Sequence, residues 1–74
     1  MVVYTSKTCA PCTSLKRFLD HKGYDYRILD IDDDAEHLVN LLKITGRKIV
    51  PTTIIEGHQP IVGLNYSAIN KAMQ

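Results

Sequence analysis

Apolar residues along the chain switch between two spacings, and the switches mark out seven elements. Val2-Val3-Tyr4-Thr5 is a short apolar run of strand type. Leu15, Phe18 and Leu19 then recur at i, i+3 and i+4, with Thr13, Ser14, Lys16, Arg17 and Asp20 on the other face. This predicts an amphipathic helix that starts near residues 9–12 and stops at Gly23. Tyr24 to Ile31 mixes aromatic and branched residues and predicts a second strand. Strand, helix and strand within about 30 residues form a βαβ unit, which makes the two strands parallel with a right-handed crossover.

A second helix is expected to follow. Asp33 with Glu36 three residues later has the form of a capping box, Ala35, Leu38, Val39 and Leu42 supply one apolar face, and Gly46 ends it. In Val50-Pro51-Thr52-Thr53-Ile54-Ile55 the proline pushes Val50 into an extended conformation and opens a third strand. Glu56-Gly57-His58-Gln59 suits a hairpin turn and Pro60-Ile61-Val62-Gly63 a short last strand. Asn65 caps a final helix with Tyr66, Ile69 and Met73 inward. The order β-α-β-α-β-β-α predicts an α/β sandwich: a small mixed four-stranded sheet with three helices.

Chemistry enters with Cys9-Ala10-Pro11-Cys12. These are the only 2 cysteines of the chain. A disulfide between them closes a tiny ring worth about 2 kcal/mol before strain, a poor staple, so the pair suits opening and closing better than staying shut. The nucleophile in such chemistry is the thiolate, so the site must acidify one thiol. Thr8 is a suitable N-cap and Pro11 fits the first helical turn, where a missing N–H costs little. Cys9 then lies at the positive end of the helix dipole, with Lys7, Lys16 and Arg17 adding charge nearby. Cys12 sits one turn deeper and is expected to be less exposed. Cys9 is therefore assigned as the attacking nucleophile and Cys12 as the resolving thiol.

Competing readings of these residues are weaker. His21, His37 and His58 are scattered without ligand spacing, so no metal site is expected. The acidic run Asp30, Asp32, Asp33, Asp34 lacks the glycine and glutamate of a calcium loop, Ala35 and Leu41 standing at those positions, and is expected to form a solvated turn and helix cap. A formal charge of +1, from 9 basic and 8 acidic side chains, argues against a nucleic-acid partner. No run approaches the length of a signal peptide or membrane span, which makes a cytoplasmic location without membrane association the default expectation. With 74 residues, only about 60% of the unfolded surface can be buried, leaving no room for a second catalytic module.

Tyr4-Thr5, three residues, Cys-x-x-Cys and a helix, then Gly46-Arg47-Lys48-Ile49-Val50-Pro51 and Ile61-Val62-Gly63, together resemble a glutaredoxin-like protein of the thioredoxin fold. The likeness covers nearly the whole chain, so residues 1–74 are expected to form one glutaredoxin-like domain. It implies a cis Val50–Pro51 bond, against the usual preference for trans, with Pro51 packed beside the cysteines and the Val50 backbone pairing with the bound disulfide substrate. Lys7, Thr8, Ala10, Pro11, Val50, Pro51 and Gly63 would form the patch a partner touches, with Asn65 beside it.

Two branches of the family differ in what reduces them. Glutathione-using members carry Pro-Tyr between the cysteines, a Lys three residues before the first, and Gly-Gly-x-Asp-Asp before the last helix. This chain has Ala10-Pro11, Ser6, and Val62-Gly63-Leu64-Asn65-Tyr66 at those places. Glutathione presents an amine and two carboxylates. Arg47, Lys48 and Lys7 can meet the acids, but Asn65 offers the amine only a neutral oxygen. The second branch serves ribonucleotide reductase and is recharged by thioredoxin reductase. It also lacks the acidic pair, although its Trp-Ser-Gly-Phe is replaced here by Ile61-Val62-Gly63-Leu64. The resulting expectation is a monomeric dithiol–disulfide oxidoreductase that reduces disulfide-containing client proteins. It would be recharged by thioredoxin reductase and supply electrons to ribonucleotide reductase, with no tightly bound cofactor. Alternatives are a glutathione-dependent glutaredoxin with glutathione as co-substrate and, further off, a glutathione-assisted iron–sulfur cluster carrier, a role that normally needs four thiolates.

Overall fold

The computed structural model describes residues 1–74. Its elements run β1 Val2–Thr5, α1 Ala10–Lys22, β2 Arg27–Asp30, α2 Ala35–Thr45, β3 Thr52–Ile54, β4 Ile61–Val62 and α3 Tyr66–Met73. The four strands form one sheet in the order β2-β1-β3-β4. β1 and β2 are parallel, with Val2 opposite Arg27 and Thr5 opposite Asp30, as the βαβ unit requires. β3 runs antiparallel to both β1 and β4. This is the thioredoxin-like β-α-β-α-β-β-α fold.

Alternation along the strands divides the apolar residues between two faces. Val3, Ile55 and Ile61 pack with Leu15 and Leu19 of α1 and Ile69 of α3. Tyr4, with Val2, Leu29 and Ile54 beside it, faces the other way and packs with Leu38 and Leu41 of α2. Helices α1 and α3 therefore share one face, and α2 alone covers the other. Val3, Leu15, Leu19, Leu41 and Ile69 are fully buried, each worth about 1.5–3 kcal/mol in apolar transfer.

Four boundaries or faces differ from the sequence expectation. β2 begins at Arg27 rather than Tyr24, because the two tyrosines before it serve the helices: the Tyr24 hydroxyl donates to Asn70 Oδ1 at 3.0 Å and the Tyr26 hydroxyl to Asp20 Oδ1 at 2.7 Å. The cap of α2 is Asp34, one residue later than expected, with its Oδ1 accepting the Glu36 N–H at 2.9 Å. The inward face of α2 is Leu38 and Leu41, while Val39 and Leu42 are 44% and 42% exposed and Ala35 is exposed too. Met73 is also turned outward, and the smaller Ala72 packs on the core in its place.

Candidate active site

β1 delivers the chain to the site. After Thr5 a short turn leads to Cys9, whose backbone is extended (φ −95°, ψ 100°) and whose N–H donates to the Ser6 carbonyl at 3.4 Å. Helix α1 then starts at Ala10, with Pro11 in its first turn. The expected cap, Thr8, is exposed and does not fill that role. Cys9 caps the helix itself: its Sγ accepts the Cys12 N–H at 3.1 Å. A sulfur that can reach an orphan amide makes a hydroxyl one residue earlier unnecessary.

Cys9 and Cys12 are joined as a disulfide, with Cα atoms 5.2 Å apart. Their environments are unequal. Cys12 is 1% exposed and faces the core, whereas Cys9 is half-buried at the surface. The first turn of α1 contains no acidic residue, so the helix itself sets no carboxylate against the positive end of its dipole.

The Lys7 charge, expected to act on the sulfur, is shared with a carboxylate. Its ammonium lies 2.6 Å from Asp33 Oδ1, and its backbone N–H donates to Asp32 Oδ2 at 2.9 Å. The hydrogen bond and charge of Asp33 hold the Lys7 ammonium above the ordinary lysine pKa, although both side chains are more than half exposed. The acidic turn is thus a clasp on the segment leading to Cys9. Nothing in residues 30–34 alone signals this, because the partners are 25 residues apart in the chain.

The second half of the site comes from the start of β3. Thr52 lies opposite Tyr4, which puts Pro51 level with Thr5 at the end of β1 from which the cysteine turn departs. The Val50–Pro51 bond is cis and Pro51 is buried. The Pro51 carbonyl accepts the Gly63 N–H at 2.9 Å, and the Thr52 hydroxyl donates to the Ile49 carbonyl at 2.7 Å. Val50, Pro51 and Gly63 therefore gather at the end of the sheet from which the turn to Cys9 departs. Gly63 adopts φ 77°, which a side-chain-bearing residue rarely tolerates. Asn65 caps α3, its Oδ1 accepting the Ala68 N–H at 3.2 Å. The hydroxyl of Thr5 is buried without a hydrogen-bond partner. No group of three or more His, Cys, Asp or Glu side chains is placed to hold a metal ion.

A disulfide of this kind, with one sulfur at a helix start and the other behind it, on a strand–helix crossover of this topology, defines a thioredoxin-fold thiol–disulfide oxidoreductase. The chain belongs to the glutaredoxin family, whose model matches residues 1–59. It is 35% identical over 60 residues to a glutaredoxin of Ricinus communis, a match covering 77% of this chain and 59% of that protein. Among solved structures, the thioredoxin-like protein BC3987 superposes with a TM-score of 0.86 at 30% identity, with 96% of each chain covered. The buckwheat glutaredoxin–glutathione complex superposes with a TM-score of 0.74 at 25% identity, over 97% of this chain and 71% of the other. No helix is long and apolar enough to cross a membrane.

Proposed function

We propose that the chain reduces protein disulfides through Cys9 and Cys12 and is recharged by glutathione. The observation that carries the assignment of roles is the inequality of the sulfurs: Cys9 is accessible and caps α1, and Cys12 is buried behind it. In the reduced protein a Cys9 thiolate would take the same Cys12 N–H as a charge-assisted hydrogen bond. It attacks one sulfur of a client disulfide, forming a mixed disulfide and expelling the other client sulfur as a thiolate. Cys12 gives up its proton and attacks Cys9 Sγ, which releases the second client thiolate and regenerates the Cys9–Cys12 disulfide. Two glutathione molecules then restore both thiols and leave as glutathione disulfide.

In this reading Val50 and Pro51 serve as the rest for a substrate backbone, with Gly63, whose N–H donates to the Pro51 carbonyl, beside them, and the exposed Thr8, Ala10 and Pro11 flank Cys9 in the chain. The likeness to glutaredoxins, one of them seen with glutathione, supports glutathione as the reductant. This reverses the order of preference expected from residues 62–66. The second reading, recharging by thioredoxin reductase with ribonucleotide reductase as client, is favoured by Asn65, whose amide oxygen is spent on the α3 cap and offers no carboxylate to the glutathione amine. A cytoplasmic monomer meeting several disulfide-bearing clients suits either reading.

The two are separated by giving the oxidised protein NADPH with glutathione and glutathione reductase, or NADPH with thioredoxin reductase. Faster turnover with glutathione is expected; turnover only with thioredoxin reductase overturns the choice of reductant. A coloured dimer from anaerobic purification would instead point to cluster carriage.

A further inference from the structure

Beside the site, on the sheet face covered by α2, lies a groove of about 450 Å³ lined by Ile44, Thr45, Arg47, Ile49, Pro60 and Val62. It exists because one helix must cover four strands. The edge strand β4 turns Ile61 into the core shared with α1 and α3. Its neighbour Val62 points away from that core and is left 47% exposed, and Ile44 in the last turn of α2 is 45% exposed.

Two observations define what fits there. The lining is apolar apart from Thr45 and Arg47, and the Thr45 hydroxyl is already engaged with the Leu41 and Arg47 carbonyls. No carboxylate lines the groove, and the only salt bridge of the chain is Lys7–Asp33, so the Arg47 guanidinium has no ionic partner. An unpaired guanidinium at an apolar groove complements a carboxylate next to an apolar side chain. Two of the lining residues directly precede candidate-site residues in the chain. Ile49 leads directly to Val50 and Pro51, and Val62 to Gly63, whose N–H donates to the Pro51 carbonyl.

We propose that this groove is a second client subsite, taking an extended polypeptide segment in which an apolar residue stands beside an Asp or Glu a few residues from the reacting cysteine. It rests on the disulfide-reductase reading and adds a preference among clients to it. The apolar side chain covers Ile44, Ile49 and Val62, and the acid meets Arg47. A disulfide with short arms, such as bis(2-hydroxyethyl) disulfide, does not reach the groove and reports on the chemistry alone.

The test uses pre-reduced protein in single-turnover reactions, which makes it independent of the reductant. The substrates are disulfide-linked homodimers of short cysteine peptides, flanked on both sides by Leu-Glu, Leu-Lys or Ser-Gln. Wild type is expected to reduce the Leu-Glu peptide about tenfold faster than the Ser-Gln peptide, an advantage that shrinks with salt as a charge contact should. Arg47→Gln should cut that ratio to about twofold, the apolar part alone, and Arg47→Glu should favour Leu-Lys over Leu-Glu. Equal rates for all three peptides in wild type, or a ratio untouched by Arg47→Glu, overturns the subsite while leaving the reductase reading intact. Failure to reduce even bis(2-hydroxyethyl) disulfide removes the reductase reading and the subsite with it. A concentration-dependent dimer that Val62→Asp splits would assign the groove to a second copy of the chain and likewise overturn the proposal.

Discussion

Helices α1 and α2 begin in the same way on opposite faces of the sheet. Each is preceded by a residue in extended conformation whose side chain accepts a free backbone N–H: Cys9 Sγ from Cys12 at 3.1 Å, Asp34 Oδ1 from Glu36 at 2.9 Å. The difference lies in what surrounds the cap. The start of α2 is loaded with carboxylates, Asp34 and Glu36, which neutralise the positive end of its dipole. The start of α1 has none, so its field is left for the sulfur. One device stabilises a helix, and in the proposed mechanism the same device without acids serves the attacking sulfur.

Cys9→Ser is the sharpest way to separate the two uses of the α1 cap. Serine is a good capping residue, so the variant should match the reduced wild type in helix content and thermal midpoint while turnover falls to the uncatalysed rate. Appreciable turnover in this variant would remove Cys9 as the attacking group. Cys12→Ser keeps the first step and blocks the second, and should accumulate a client adduct on Cys9 visible by mass spectrometry.

On α2 the effects should be on stability alone. Leu41 is fully buried and Leu42 is 42% exposed. Leu41→Ala should cost about 2–5 kcal/mol in denaturant unfolding and Leu42→Ala less than about 0.5 kcal/mol; similar losses would mean that α2 packs on a different face. Asp34→Ala should cost about 1 kcal/mol through the lost cap and leave disulfide reduction unchanged. A drop in activity would show that the two helix starts are coupled, with the Lys7–Asp33 pair as the direct link between them.

How far the sequence discloses this contrast depends on how many positions compete for a role. The face of α1 is unambiguous because Leu15, Phe18 and Leu19 are flanked by polar residues, and Gly23 marks its end at φ 73°. In α2, Leu38, Val39, Leu41, Leu42 and Ile44 occupy more than one stripe, so periodicity permits two faces and contact with Tyr4 and Ile31 decides between them. The caps slipped by one residue for a similar reason. Asp33 and Asp34 are equally competent acceptors, and Asp33 is taken by Lys7. Thr8 has the better capping hydroxyl, but Cys9 has the geometry. The candidate site is named from motif order, through Cys9, Cys12, Val50, Pro51 and Gly63, whereas the Asp32–Asp33 clasp and the Arg47 groove arise only when distant segments meet.

That clasp joins the two helix starts and gives the smallest effect. Asp33 at the approach to α2 holds the lysine that stands two residues before Cys9. Its carboxylate raises the Lys7 pKa, so the pair's contribution is fully present below the ordinary lysine value and is lost only as pH rises through the raised one. Across the neutral range salt, not pH, therefore weakens it. Asp33→Asn removes one negative charge and frees the ammonium, and both changes favour a Cys9 thiolate. Because the pair is exposed to solvent, the gain in thiolate at a fixed neutral pH should be small, read from thiolate absorbance in the reduced protein, and smaller still at high salt. A loss of thiolate absorbance would instead mean that Asp33 serves chiefly to hold the turn in shape, and that α1 loses more from a displaced sulfur than it gains from a free lysine.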